Sequence, residues 1–311
     1  MKFGPKVKIS ISNMKSLQSN MKHIWFTIAF LFIAFAVDAQ TIHWIIFADT
    51  QDPNNGSEVR NSVNAYTTQF IDRINDAIIA KGYMPQKRTY SGSDFTEARC
   101  KDVINRLSCG KDDIIVFYYL GHGGRAQMGK EEAASYNNKY PWPDLAFDKA
   151  NTNESINGLT LNSIHSSLKQ KGARLTITIG MCCNAHSSQY KKHGISTQSR
   201  RYKIVCKKFA KKVGQQLFLK SRGDVLVASA QPGQFSYGGS YGGQDVDCFT
   251  AALCETVDSY ANNDSGEKVT WSSFLNEVSS KCTALAKIEG QKFGEVWNQK
   301  PKKQVNATLT K

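Results

Sequence analysis

Asp112–Gly124 reads DDIIVFYYLGHGG, an apolar run that ends in a histidine framed by glycines. A second run, Ala173–Asn184, reads ARLTITIGMCCN and ends in two adjacent cysteines. Both are rich in Ile, Val, Thr, Phe and Tyr without clean alternation, the pattern of strands buried on both faces of a covered sheet. In such sheets, side chains just past the carboxyl ends of neighbouring strands meet in one crevice. An imidazole and a thiol delivered there are the minimum parts of a cysteine nucleophile with its acid/base.

Working outward, Thr41–Ala48 (TIHWIIFA) is a first strand that empties into a polar, turn-rich loop from Asp49 to Gly56. Val63, Tyr66, Phe70, Ile74, Ala77 and Ile78 recur at spacings of three and four, which predicts an amphipathic helix over 62–80 closed by Gly82. A strand over 84–90 follows, then a helix to about Leu107 capped by Ser93 or Asp94. Strand, helix, strand, helix, strand in this order is the signature of a parallel α/β sheet. The stretch from Gly124 to Gly158 reads as a long polar loop at the sheet's carboxyl edge, where binding residues collect. Beyond it come a helix over 160–171, a short strand DVLVASA (Asp224–Ala230), a Gly/Tyr loop to Gly243, and helices over 249–257 and 272–286. The polar, lysine-rich segment 299–311 is expected to fray.

The first thirty-nine residues follow a different logic. Lys22 and His23 precede the apolar core Ile24–Val37, and Val37 and Ala39 are small residues at the third-last and last positions before a cut. That describes a secretory signal peptide cleaved after Ala39, with 1–20 as an extension ahead of a start at Met21. The apolar span is shorter than the roughly 20 residues a bilayer crossing needs, so no stable membrane insertion is expected after removal. The expected location is secreted or periplasmic, and 40–298 reads as a single domain.

The chain of 311 residues has a formal charge of +14, which falls to +10 when five lysines and one aspartate leave with residues 1–39. A basic balance suits nucleic acid, but export and the lack of interleaved aromatics argue against that partner. All eight cysteines lie beyond residue 39. Cys100 and Cys109 flank one helix too far apart to pair, while pairing among Cys206, Cys248, Cys254 and Cys282 stays open. His186 makes a C-C-x-x-H cluster with Cys182 and Cys183, yet the spacing is not a zinc signature, so no metal is expected there.

A free thiol has a pKa of about 8.5, and a nearby imidazolium raises its thiolate fraction at neutral pH. His122 fills that role and then protonates the leaving amine. The glycines around it allow close approach of substrate, and backbone N–H groups of Gly123 and of the nucleophile itself can meet a developing oxyanion.

YYLGHGG (Tyr118–Gly124) resembles the histidine motif of the caspase and metacaspase superfamily, peptidase clan CD, and GMCCNA (Gly180–Ala185) resembles its cysteine motif. The order, histidine first and cysteine about sixty residues later, also fits. The likeness runs from Thr41 to about Tyr260 and takes in ASAQPGQFSYGG and DCFTAAL. It implies a caspase-like α/β/α sandwich with a mostly parallel central sheet flanked by helices. It also implies a peptide or protein substrate cut through a His–Cys dyad and a thioester.

The metacaspase motif places an aspartate two residues before its cysteine. The favoured register makes Cys183 the nucleophile, with the small Ala185 where that motif has serine and Met181 at the aspartate position; the alternative makes Cys182 the nucleophile, with Gly180 there. Neither supplies the acid that helps those enzymes hold Arg or Lys at P1. Asp49, Asp245 or Asp247 are candidates to replace its charge, with Ser229, Trp142, Tyr237 and Tyr241 as candidate groove residues. The missing acid also motivates a second reading, a catalytically inactive caspase-like binding module. Calcium activation is implied by the resemblance alone, and the acid-free stretch from Ser155 to Gly223 offers no carboxylates for it. The basic region 191–212 lies where relatives are cut to separate two subunits, so self-cleavage is expected there.

Overall fold

The computed structural model describes residues 40–125, 130–147, 158–185, 211–241, 243–261 and 268–310. The proposed signal segment, His186 and most of the basic region, with Cys206, lie outside them.

Strands β1 (Thr41–Ala48), β2 (Met84–Ser91), β3 (Ile114–Leu120), β6 (Leu175–Met181) and β7 (Ser221–Ala228) form a parallel sheet in the order β7-β6-β3-β1-β2. The short strands β10 (Lys302–Val305) and β11 (Thr308–Leu309) add antiparallel to β7, which makes the sheet seven-stranded. The unalternating apolar runs have a direct cause, since successive side chains enter opposite faces and both faces are covered. Trp44, Ile46, Val116 and Tyr118 face one core, and Ile45, Phe47, Phe117 and Tyr119 face the other.

On the first face lies helix α1, continuous through Gly56–Ala65, a π-wound segment Tyr66–Ile71 and Asp72–Ile79. It is joined there by the short helix α5 with its π-wound end (Lys211–Gly214, Gln215–Leu219), α6 (Cys248–Ala261) and α7 (Trp271–Lys292). Helices α2 (Glu97–Arg106) and α4 (Leu161–Lys169) cover the second face. The fold is therefore the expected α/β sandwich with helices on both sides of a largely parallel sheet.

Several local expectations are corrected. α1 begins at Gly56 rather than near Ser62, because the Asp52 carboxylate takes the backbone N–H groups of Asn54 and Asn55 (2.9 and 2.6 Å) and turns the chain into the helix early. The cap of α2 is Thr96, whose hydroxyl accepts from Arg99 N–H (3.1 Å), since Gly92–Asp94 closes a 3₁₀ turn of its own. The long polar loop contains structure: β4 (His122–Gly124) pairs antiparallel with β5 (Asp144–Ala146), and α3 (Lys130–Lys139) lies between them. The segment from Gln299 does not fray. It supplies β10 and β11, and Gln299 itself is 1% exposed. Its polar side chains alternate along an edge strand whose backbone does the pairing, so composition hid it.

Candidate active site

Three neighbouring strands end at one edge of the sheet. Ala48 pairs with Leu120, and Leu120 pairs with Met181. His122 and Cys183 therefore each stand two residues past partners on strands about 4.8 Å apart. The loops they head stay joined beyond the strands: Gly121 N–H donates to Met181 O (3.2 Å) and Arg125 N–H to Ala185 O (3.0 Å).

On the other side of His122, the loop after β1 brings Asp52. Its Oδ2 lies 3.1 Å from His122 Nε2. Burial works to raise the Asp52 pKa, but the Asn55 and Asn54 N–H groups and the His122 imidazole outweigh it and hold the carboxyl below its usual range. An ionised Asp52 on Nε2 leaves Nδ1 as the ring nitrogen for other partners. The His122 backbone is fixed as well, its carbonyl 2.6 Å from the Tyr119 hydroxyl, which also reaches Ala146 O at 2.9 Å. Asp49 is half-exposed at the end of β1; burial and then the neighbouring Asp52 charge raise its pKa against the pull of His122.

The two adjacent thiols have different surroundings. Cys182 is 1% exposed and packs beneath Gly123, where any Cβ would stand 2.6 Å from its sulfur. Burial drives its pKa well above the ordinary thiol value, with the neighbouring Cys183 adding to the effect. It is a core thiol. Cys183 is half-exposed, and its Sγ receives the Ser236 N–H at 3.4 Å and lies 3.8 Å from Ser236 O.

Ser229 is fully buried and does not line a groove. Its Oγ accepts from Cys182 N–H (3.1 Å) and lies 3.0 Å from both Cys182 O and Ser236 Oγ. Asn184, also buried, is held by Arg125 Nη1 (2.7 Å) and donates to Pro141 O and Ala230 O (both 3.2 Å). This network fixes the turn that carries Cys183. Trp142 is partly buried against the second core, and Tyr241 is buried with its hydroxyl on Asp258, so neither is an open wall. Tyr237 stacks on Trp297, ring centroids 4.5 Å apart.

Two residues beyond Ser236, strand β8 (Gly238–Tyr241) pairs with β9 (Gln244–Asp247), placing Gly238 opposite Asp247 and Ser240 opposite Asp245. Glu58 of α1 reaches the same spot, its Oε2 2.7 Å from where a Gly238 Cβ would stand. Asp247 is 1% exposed, with Oδ1 on Thr250 N–H and Oδ2 without a hydrogen-bond partner among the described residues. Burial, and then the charges of Asp247 and Asp245, push the Glu58 pKa to about 8. Among the described residues no group of three or more His, Cys, Asp or Glu side chains is arranged to hold a metal ion. Cys100, Cys109, Cys182, Cys248, Cys254 and Cys282 are free thiols.

The family model of the caspase domain, peptidase C14, matches residues 67–311. The chain belongs to the caspase-domain family of peptidases. Among solved structures, caspase-1 from Spodoptera frugiperda is similar at 13% identity, with a TM-score of 0.45 over 85% of this chain and 86% of that one. No curated protein matches. The caspase-domain match begins beyond Asp52 and Glu58, and these are the residues that sequence reasoning passed over. Asp52 stood in the polar loop after β1; the signal that finds it is the shared ending of β1 and β3 at one sheet edge.

Proposed function

We propose that this caspase-domain protein is a cysteine endopeptidase in which Cys183 is the nucleophile, His122 the acid/base and Asp52 the group that orients His122. The observation that carries this reading is the 3.1 Å contact between Asp52 and His122 Nε2, on a loop hydrogen-bonded to the Cys183 turn. With Nε2 committed to Asp52, Nδ1 serves the sulfur side. Cys183 gives its thiol proton to His122 and its sulfur attacks the substrate carbonyl carbon, while backbone N–H groups of Gly123 and Cys183 receive the oxyanion. His122 protonates the departing amine as the C–N bond breaks, leaving a thioester. Water then gives a proton to His122 and its oxygen to the acyl carbon, and the thiolate leaves.

Burial of Cys182 favours Cys183 in this role, because a thiol enclosed in apolar surroundings stays protonated and inert. Glu58, Asp245 and Asp247 form no ion pair among the described residues, although the chain as a whole is strongly basic. Glu58 and Asp247 are enclosed carboxyls without a counter-charge, with Asp245 half-exposed beside them, and such an arrangement is costly and suits a site whose ligand supplies the charge. We assign them to the P1 side chain, as a pocket for arginine or lysine.

The test is labelling by iodoacetamide or a peptidyl electrophile, followed by intact mass. Labelling is expected in the wild type and in C182A, and lost in C183A and H122A. Labelling that persists in both of the latter overturns the reading, and none in the wild type favours the binding module. A substrate-library digest with P1 read by mass spectrometry tests the pocket; cleavage after acidic residues would refute it. Self-cleavage within 191–212 is read by comparing intact mass over time with the H122A protein.

A further inference from the structure

Gln299 sits in the segment that leads into β10, far in sequence from either motif, yet it is 1% exposed and fully committed to the nucleophile's surroundings. Its Oε1 accepts from Tyr237 N–H (2.9 Å), and its Nε2 donates to Ser229 O (3.1 Å) and Ser236 Oγ (3.2 Å). Its own carbonyl accepts from Thr283 Oγ1 (2.9 Å), which ties it to α7. The two serines it bridges are those that touch the two cysteines. Ser229 holds both backbone groups of Cys182, and Ser236 presents its N–H to Cys183 Sγ.

A hydrogen bond to sulfur stabilises the thiolate over the thiol, but only while the donor is aimed. Ser236 lies in an irregular stretch between β7 and β8, with no ladder to aim its N–H. The next N–H along the chain, that of Tyr237, is the one Gln299 takes, and the Ser236 hydroxyl is the other point it grips. Stacking of Tyr237 on Trp297, two residues before Gln299, holds the same stretch from outside.

We propose that Gln299 is a positioning residue for Cys183: it orients the Ser236 N–H toward the sulfur and so sets the reactivity of the nucleophile from the carboxyl-terminal segment. This rests on Cys183 being the nucleophile, and it goes beyond that reading by making a residue outside both motifs part of the machinery. Here all three side-chain bonds converge on one connection, from β7 to β8, that touches both cysteines.

The experiment uses the full chain in six forms: wild type, Q299M, S236A, the Q299M/S236A double variant, T96A and C183A. Methionine keeps the length of glutamine and removes its hydrogen bonds. S236A deletes the hydroxyl that Gln299 grips and leaves the backbone N–H in place. T96A, a remote helix cap, reports what lost stability alone does. The second-order rate of Cys183 alkylation by iodoacetamide at pH 7, and kcat and KM on a cleaved peptide, are measured for each.

Q299M and S236A are each expected to lose about tenfold in alkylation rate and in kcat, with KM within about twofold. The double variant is expected to lose little more than either alone, as members of one network do. T96A is expected to keep wild-type rates. Wild-type alkylation rates in S236A, whether or not Q299M folds, overturn the proposal. So does an equal loss in T96A. Absence of Cys183 alkylation in the wild type sinks the peptidase reading instead, and is told apart because C183A then matches the wild type.

Discussion

At the scale of single residues, the candidate site is governed by which carboxyls are ionised. Asp52 is held ionised by the Asn55 and Asn54 N–H groups and His122 against the cost of its burial. D52N keeps the shape and removes the charge. Positioned acid–base catalysis contributes about 10²-fold or more, so loss of the group that fixes the ring should lower kcat by at least roughly tenfold. KM is expected to change little, and steady-state kinetics on a cleaved peptide measure both.

Glu58 is the opposite case, with its pKa raised to about 8 by burial and by Asp247 and Asp245. The folded protein keeps the Glu58 proton where the unfolded chain releases it, so this group costs stability progressively as pH rises from about 4.5 toward 8, and no further above that. E58Q cannot ionise. Its melting temperature should therefore gain on the wild type between pH 5 and 8, with the difference flat above pH 8. Parallel melting curves across that range would show that Glu58 already ionises normally.

At the scale of elements, the reading from sequence succeeded where burial leaves a continuous apolar mark. The runs at 114–120 and 175–181 were legible because both faces of those strands are covered, and they carry His122 and Cys183 to one edge. β10 was not legible because an edge strand needs only backbone pairing, and its lysines look like a tail. Asp52 and Gln299 were missed for a related reason: each acts through contacts to residues 70 or 63 positions away, which no local pattern records.

The cap of α2 shows how a local rule misplaces by a few residues. Ser93 and Asp94 have the right chemistry, but Thr96 has the extended backbone that an N-cap requires and accepts from Arg99 N–H. T96A should cost about 1 kcal/mol, lowering the melting temperature by roughly 2–4 °C for a domain of this size. Alkylation of Cys183 is expected to be unchanged. S93A, by contrast, is expected to melt with the wild type, and a larger loss in S93A than in T96A would reverse the assignment.

At the scale of the whole molecule, the two ends of the chain carry opposite expectations. Gln40–Lys311 forms one compact unit. Taken with the signal-like composition of 1–39, this leads us to propose that the working protein begins at Gln40, which amino-terminal sequencing of exported material would test. A chain of 40–311 alone should melt and label as that protein does. Removal of 299–311 should not be tolerated. It strips β10 and β11 from β7, leaving Val225, Val227 and their neighbours on an unpaired edge that invites association between chains. It also removes Gln299, whose amide joins Ser229, Ser236 and Tyr237 behind the thiols, which takes the partner from the buried Ser229 carbonyl at about 1–3 kcal/mol and releases the half-buried Tyr237 N–H. A handful of such losses consumes most of the roughly 5–15 kcal/mol by which a domain is stable. The shortened chain is therefore expected to aggregate in light scattering and to label at less than a tenth of the full rate. A soluble 40–298 protein with an unchanged melting curve and full labelling would show that the sheet ends at β7 and that the carboxyl-terminal segment is dispensable.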